Sequence, residues 1–116
     1  LHLRLNDTTK AIVTQADLAL MKSDSLLVNT SRAELVESGA LYSEMSSNPS
    51  KRAAIDVFET EPANANNEPL LSLPNVLCTP HIGYVEKSSY ELYFKIAFEN
   101  VVAFANGKAE NLVINS

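Results

Sequence analysis

Ala53–Phe58, which reads AAIDVF, is the segment that decides the fold of this chain. Its residues are apolar apart from Asp56 and do not alternate with polar ones, a pattern typical of a strand covered on both faces of a parallel sheet. Two runs of the same kind, Leu26–Asn29 and Val76–Thr79, lie on either side of it in the sequence. The alternating segment Leu1–Leu5 is a candidate fourth strand. Together these runs predict a mostly parallel sheet.

Helical patterns lie between the predicted strands. The segment Thr14–Met21 begins with Thr14 as a candidate N-cap, and Asp17 follows three residues later, which makes an imperfect capping box. Further helices are predicted over Glu37–Ser46 and, as the longest, over Glu86–Asn106. Strands that alternate with helices in this way predict an α/β fold.

The last predicted helix carries more apolar side chains than one face can hold. One stripe at three- and four-residue spacing consists of Tyr90, Phe94, Ala97, Val101 and Phe104, and Leu92, Ile96 and Phe98 lie off that stripe. An ordinary surface helix has one apolar face. We therefore expect this helix to be buried on two sides, against another domain or a second subunit.

Composition excludes several classes of protein. The 116 residues are 46% hydrophobic and 20% charged, which is ordinary for a globular domain, and the net charge of −5 argues against a nucleic-acid partner. No run approaches the ~20 apolar residues that a membrane span needs. The single cysteine, Cys78, excludes an internal disulfide and is compatible with a reducing, cytoplasmic location. Two distant histidines and one cysteine do not predict a metal site.

Polar residues follow each predicted internal strand. Arg32 comes after the first, Asp56 and Glu61 lie in and after the second, and His81 comes after the third. Because the carboxyl ends of parallel strands meet at one edge, we expect these residues to meet there. Arginine binds a carboxylate through two parallel hydrogen bonds, and histidine beside a carboxylate exchanges a proton near neutral pH. The set predicts a site that binds a small organic acid and moves a proton on it.

Each of these residues also has an ordinary structural interpretation. Arg32 fits a surface cap or ion pair, Glu61 a solvated loop charge, and His81 a structural histidine after a strand. Ser31 lies outside any Gly-x-Ser-x-Gly sequence, so a hydrolase nucleophile is not indicated.

Three motifs, in order along the chain, resemble the D-isomer-specific 2-hydroxyacid dehydrogenase family. They are LVNTSRAELV at Leu27–Val36, DVFETEP at Asp56–Pro62 and NVLCTPHIG at Asn75–Gly83. The opening Leu1–Leu3 with Thr8-Thr9 is similar to the family's strand and turn on the adenosine side of the cofactor. The resemblance implies the second half of a Rossmann-type parallel sheet, with flanking helices and a long C-terminal helix.

The resemblance also implies a role for each matching residue. Arg32 corresponds to the arginine that grips the substrate carboxylate and carbonyl, His81 to the general acid/base, and Glu61 to the carboxylate paired with that histidine. Asp56 corresponds to a contact with the nicotinamide carboxamide, and Gly83 to a close backbone approach near the nicotinamide. The implied cofactor-binding set is Leu3, Thr30, Ser31, Asp56, His81 and Gly83.

The implied function is that of a fragment of an oxidoreductase. It would transfer a hydride between NAD or NADP and a small D-2-hydroxy acid or its 2-keto acid, of phosphoglycerate, glycerate, hydroxypyruvate or lactate type. The resemblance also implies a homodimer formed through the cofactor domains. Residues 1–116 would be part of an NAD(P)-binding domain, with about 85–116 the return helix and tail towards a substrate domain.

Some features of the sequence leave alternatives open. It contains no Gly-x-Gly-x-x-Gly turn for the pyrophosphate, and it shows neither an initial Met nor a signal-peptide pattern. We therefore expect the later part of a longer protein, inactive as 116 residues. Ala33-Glu34 and Tyr84-Val85 stand where many family members have glycine, which leaves the substrate open. The alternative function is a non-catalytic, cofactor-sensing or protein-interaction module derived from the same family.

Overall fold

A computed structural model of the protein describes residues 1–112, which form two compact units, Leu1–Gly83 and the residues from Tyr84 onward. Short 3-10 helices lie at Ala33–Leu35 and Pro69–Ser72. The principal elements are α1 (Gln15–Ala19), β1 (Leu26–Asn29), α2 (Ala40–Ser47), β2 (Arg52–Ile55), β3 (Val76–Cys78) and α3 (Lys87–Ala105).

The three strands form one parallel sheet in the order β1-β2-β3. Ala53 of β2 lies opposite Leu27 of β1 and Val76 of β3, so β2 is the central strand. The predicted α/β fragment of Rossmann type is confirmed. The second and third strands end before the predicted Phe58 and Thr79, because from Asp56 and from Thr79 onward the chain turns into the loops that build the site.

One face of the sheet carries the core of the first unit. Ala53 and Ile55 of β2 pack there with residues of both helices, among them Leu18, Leu41 and Met45. The other face is open, with Leu26, Val28 and Leu77 exposed. Both helices contribute their apolar side chains to the same core cluster, so the expected cover of the second face stays a prediction.

The ends of α1 and α2 follow from local chemistry. The Thr14 hydroxyl accepts from the Asp17 amide while the Asp17 carboxylate accepts from the Thr14 amide, which completes the predicted capping box. Helix α2 begins at Ala40 instead of the predicted Glu37. Gly39 has φ 76°, outside the helical region, and the Glu37 amide donates to the Val13 carbonyl across a short parallel bridge.

The opening segment Leu1–Leu5 is not a strand, and that prediction is wrong. The Leu1 nitrogen donates to the Val28 carbonyl, and the Leu3 carbonyl accepts from the Ser31 hydroxyl at 2.6 Å. These bonds hold the segment beside β1 without the repeated backbone ladder that defines a strand.

A buried ion pair joins α1, α2 and the start of β2. Lys51 Nζ lies 2.6 Å from Glu44 Oε1, and each side chain is 6% exposed. The same ammonium donates to the carbonyls of Leu18 and Ala19 at the end of α1. Lysine therefore supplies the positive charge that α1 lacks in its own last turn.

The second unit consists of α3 and the residues around it. Glu86 caps the helix by accepting from the amides of Ser88 and Ser89, and Asn106 and Gly107 end it as predicted. No residue of α3 is buried. The expected burial on two sides stays a prediction. Among residues 1–112, no helix is long and apolar enough to cross a lipid bilayer.

Candidate active site

The carboxyl ends of the three strands bring most of the predicted site residues to one edge of the sheet. Thr30, Ser31 and Arg32 follow β1, Asp56 follows β2, and His81 and Gly83 follow β3. Glu61 reaches this edge from the loop after Phe58. The geometry expected from parallel strands is therefore present.

His81 and Glu61 form the central pair of the site. His81 Nδ1 lies 2.8 Å from Glu61 Oε2 and 3.0 Å from Oε1. The side chains are 29% and 38% exposed, so both reach solvent. A carboxylate on Nδ1 orients the imidazole and directs Nε2 away from the pair, which suits proton exchange at Nε2.

The charge of Glu61 is stabilised from several sides. Its hydrogen bond with His81 is the main cause that lowers the pKa of the Glu61 carboxyl, and the Phe58 amide, which donates at 3.1 Å, lowers it further. Burial raises this pKa slightly, while the charges of His81 and Arg32 lower it. The Arg32 guanidinium therefore favours the charged form of the Glu61 carboxylate.

Arg32 is held by its neighbours on the β1 loop. Its Nη1 donates to the Ser31 carbonyl at 2.6 Å, and its own carbonyl accepts from Asn29 Nδ2 at 2.9 Å. Asn29 is 2% exposed and also accepts from the Ser31 amide. The sequence analysis missed Asn29, although a polar residue at the end of an apolar strand was a signal.

Asp56 lies at the centre of the predicted cofactor-binding set. Its carboxylate accepts from the Thr79 hydroxyl at 2.5 Å, the Ile82 amide at 2.9 Å and the Gly83 amide at 2.7 Å. Burial raises the pKa of Asp56, but these three donors and the nearby charge of His81 leave it below its usual value. The sequence analysis missed Thr79, which lies inside one of the three motifs.

Gly83 can approach the Asp56 carboxylate closely because it lacks a side chain. A Cβ at this position would lie 2.9 Å from Asp56 Oδ2 and 3.7 Å from the Cβ of Thr30. The ends of all three strands therefore converge where that Cβ would stand. This is the group for which the family resemblance implies a contact with the nicotinamide carboxamide, and that role stays a prediction.

The remaining cofactor-binding prediction, Leu3, lies next to Ser31. The Leu3 carbonyl accepts from the Ser31 hydroxyl at 2.6 Å, which places the opening segment beside the β1 loop. The predicted residues thus form two local groups, one around Asp56 and one around Ser31.

A cavity near the same strand ends does not include the central pair of the site. A cavity of about 280 Å³ opens beside α2 and is lined by Tyr42, Phe58 and Leu70 among others, but by none of Arg32, Glu61 and His81. Among residues 1–112, His, Cys, Asp and Glu side chains form no group of three that could hold a metal ion. Cys78 is partly buried, and burial together with the charge of Glu68 raises its pKa.

A parallel sheet whose carboxyl edge carries an acid–histidine pair places the chain among the α/β proteins that hold their site at this edge. Comparison with known families narrows this class. Residues 1–83 match the model of the D-isomer specific 2-hydroxyacid dehydrogenase, NAD binding domain, and the chain belongs to that family. The resemblance predicted from the three motifs is confirmed.

Individual relatives agree with the family. The chain is 38% identical to the glyoxylate reductase of Aeropyrum pernix over 115 residues, which are 99% of this chain and 34% of that protein. The crystal structure of a phosphoglycerate oxidoreductase from Vibrio cholerae O395 matches with a TM-score of 0.89 and 73% identity, over 92% of this chain and 34% of the other.

A more distant structure was solved with a nicotinamide cofactor. The D-lactate dehydrogenase of Lactobacillus jensenii, in complex with NAD⁺, matches with a TM-score of 0.77 and 27% identity, over 100% of this chain and 38% of the other. The chain thus spans about a third of the length of the relatives it matches.

Proposed function

We propose that the intact protein is an NAD(P)-dependent oxidoreductase that interconverts a D-2-hydroxy acid and its 2-keto acid. The observation that carries the proposal is the His81–Glu61 pair, 2.8 Å apart at the carboxyl edge of the sheet, in a member of this family. The 73%-identical structure is named a phosphoglycerate oxidoreductase, so a phosphorylated three-carbon acid is the first substrate to test.

In this proposal each residue of the site has a defined task. Arg32 binds the substrate carboxylate through its planar guanidinium, which also stabilises the reacting oxygen. His81 Nε2 donates a proton to the keto oxygen during reduction and takes it back from the hydroxyl in the reverse direction. Glu61 holds the ring in one orientation and stabilises its charged form.

Thr30, Asp56 and Gly83 are the residues that would hold the nicotinamide end of the cofactor, with Leu3 and Ser31 beside them. When bound, the nicotinamide supplies or accepts the hydride. Asp56 Oδ2 has one amide partner, Gly83, and so has capacity for a further donor such as a carboxamide. Comparing kcat/KM with NADH and with NADPH decides the cofactor preference.

The test uses the intact protein, NADH or NADPH and a panel of 2-keto acids. His81→Ala should lower kcat/KM by about 10²–10⁴-fold, the usual contribution of a positioned acid or base. Glu61→Gln should lower kcat. Glu59→Gln is the matched control, because Glu59 lies in the same loop but accepts from Ser38, which precedes α2. A His81→Ala variant with the wild-type rate would contradict the proposal and favour the non-catalytic alternative.

The proposal extends to organisation and location. Residues 1–116 would be part of the NAD(P)-binding domain, with about 85–116 leading towards a substrate domain. The intact protein would be cytoplasmic. A homodimer fits the apolar side chains that α3 exposes, such as Phe98, which is 66% exposed, and Phe104, which is 75% exposed. The 116 residues alone should show no appreciable turnover, since they lack a glycine-rich phosphate turn. Light scattering of the intact protein tests the homodimer, and an assay of the 116 residues tests their lack of turnover.

A further inference from the structure

The loop Thr79–Gly83 carries His81 in an unusual backbone conformation. His81 has φ 54°, in the left-handed region that a residue with a Cβ adopts only when its surroundings hold it there. Two backbone hydrogen bonds fix the start of the loop. The Thr79 amide donates to the Ile55 carbonyl at 2.9 Å, and the His81 amide donates to the Thr79 carbonyl at 3.0 Å.

Asp56 binds this loop on both sides of the histidine. Its Oδ1 accepts from the Thr79 hydroxyl before His81 and from the Ile82 amide after it, and Oδ2 accepts from the Gly83 amide. Asp56 is only 4% exposed, so water contributes little to its solvation. The loop donors replace that water, and the anion in turn fixes the loop.

Thr79 has a special place among the three donors. The amides of Ile82 and Gly83 belong to the backbone that the carboxylate organises, whereas the Thr79 hydroxyl reaches Oδ1 from a side chain at the end of β3. The Thr79 backbone is anchored independently on Ile55 of the central strand. The hydroxyl therefore fixes the direction of the carboxylate relative to the sheet.

We propose that Thr79 is a positioning residue for His81: its hydroxyl holds the Asp56 carboxylate in the orientation that binds the Ile82 and Gly83 amides. The loop so held sets the imidazole against Glu61. The inference rests on the proposed function, in which His81 exchanges the proton. It gives Asp56 a task on the loop in addition to the cofactor contact that the family implies.

Two substitutions in the intact protein separate the hydroxyl from the shape of the side chain. Thr79→Val keeps the shape and removes the donor, and Thr79→Ser keeps the donor. Thr14→Val is the matched control, because the Thr14 hydroxyl also donates to a carboxylate, at 2.6 Å from Asp17, but in the cap of α1. Steady-state kinetics and hydrogen-exchange mass spectrometry of the peptide containing 79–83, without cofactor, are the two measurements.

Thr79→Val should lower kcat by about 10–100-fold, the range expected when a reacting group is misplaced by a fraction of an ångström to one ångström. The KM for the 2-keto acid should change by less than about 3-fold, because Arg32 is untouched. Exchange in the 79–83 peptide should accelerate. Thr79→Ser should restore kcat to within about 3-fold of wild type and slow the exchange again, and Thr14→Val should leave both measurements unchanged.

The outcomes separate this inference from the proposed function. A wild-type kcat in Thr79→Val, with His81→Ala inactive, overturns the positioning role alone. Equal losses in Thr79→Ser and Thr79→Val also overturn it, because they would trace the effect to side-chain shape. A wild-type rate in His81→Ala overturns the proposed function itself.

Discussion

The two units of the chain contain similar apolar side chains but use them differently. In Leu1–Gly83, the sheet and two helices enclose a core in which Leu35 is 0% exposed and Leu18 is 1% exposed. In α3, Phe104 is 75% exposed and no residue is buried. Apolar content alone does not make a core, because burial requires a second layer of structure.

Their ion pairs differ in the same way. Lys51 and Glu44 are buried in the first unit, and the ammonium also binds two carbonyls at the end of α1. On α3, the pairs Lys87–Glu91 and Lys95–Glu99 lie 3.8 Å apart in solvent. A buried charge depends on its partner, whereas an exposed one is solvated by water.

The largest expected effect on stability comes from breaking the buried pair. Lys51→Met should lower the free energy of unfolding by about 3–5 kcal/mol, because it leaves the Glu44 carboxylate buried without its cation. Chemical denaturation of the intact protein measures the loss of stability, and hydrogen exchange in β2 measures it locally. Lys95→Met on α3 is the control and should cost less than about 1 kcal/mol. Equal losses of stability in Lys51→Met and Lys95→Met would contradict the conclusion that the buried pair matters more than the exposed pair.

A smaller effect is expected at the last residue of the first unit. Gly83→Ala would place a Cβ 2.9 Å from Asp56 Oδ2, and that carboxylate is held by three donors and cannot move aside cheaply. We expect a loss of about 1–3 kcal/mol, as for overpacking, with a lower kcat. Gly39→Ala meets no neighbour and tests the strain of φ 76° alone. Its kcat should equal that of wild type, and an equal kcat in Gly83→Ala would contradict the close contact.

The smallest effect is expected at the cap of α3. The Glu86 carboxylate accepts from the amides and hydroxyls of Ser88 and Ser89, and these bonds lower its pKa to about 2. Because the folded state favours the charged form, the cap contribution is complete above the ordinary value of 4.5 and declines as the pH falls towards 2.

Glu86→Gln should accelerate amide exchange in the first turn of α3 at neutral pH and abolish the acid-dependent change. Glu91→Gln, in the exposed pair with Lys87, is the control and should keep that change. Protection factors of the first turn measured between about pH 5 and pH 2 test this window. A wild-type pH dependence in Glu86→Gln would contradict the assignment of the cap.

Short-range patterns predicted much of the fold. The apolar run Leu26–Asn29 is a strand with the predicted bounds, and the Thr14 capping box is present. Errors occurred where distant segments decide the conformation. The start of α2 moves because the Glu37 backbone pairs with Val13, and Leu1–Leu5 forms only scattered bonds to the β1 region.

The contacts of the site were likewise predicted in part. The meeting of His81 with Glu61 was predicted from strand ends and from the family resemblance, and the two side chains lie 2.8 Å apart. Their catalytic roles stay predictions. The bond from Thr79 to Asp56 and the pair between Lys51 and Glu44 were not predicted, because each joins side chains whose partners only the folded chain reveals.

The partners of Asp56 also impose an order on biosynthesis. Gly83 leaves the ribosome 27 residues after Asp56, an interval of roughly 1–5 s at ordinary translation rates. Until then the Asp56 carboxylate lacks its Gly83 donor, and burial of a carboxylate with incomplete hydrogen bonding is unfavourable. The loop after β3 both supplies the donors to Asp56 and carries the histidine that contacts Glu61. A nascent chain that ends before Gly83 therefore cannot complete the hydrogen bonds that surround the buried Asp56 carboxylate.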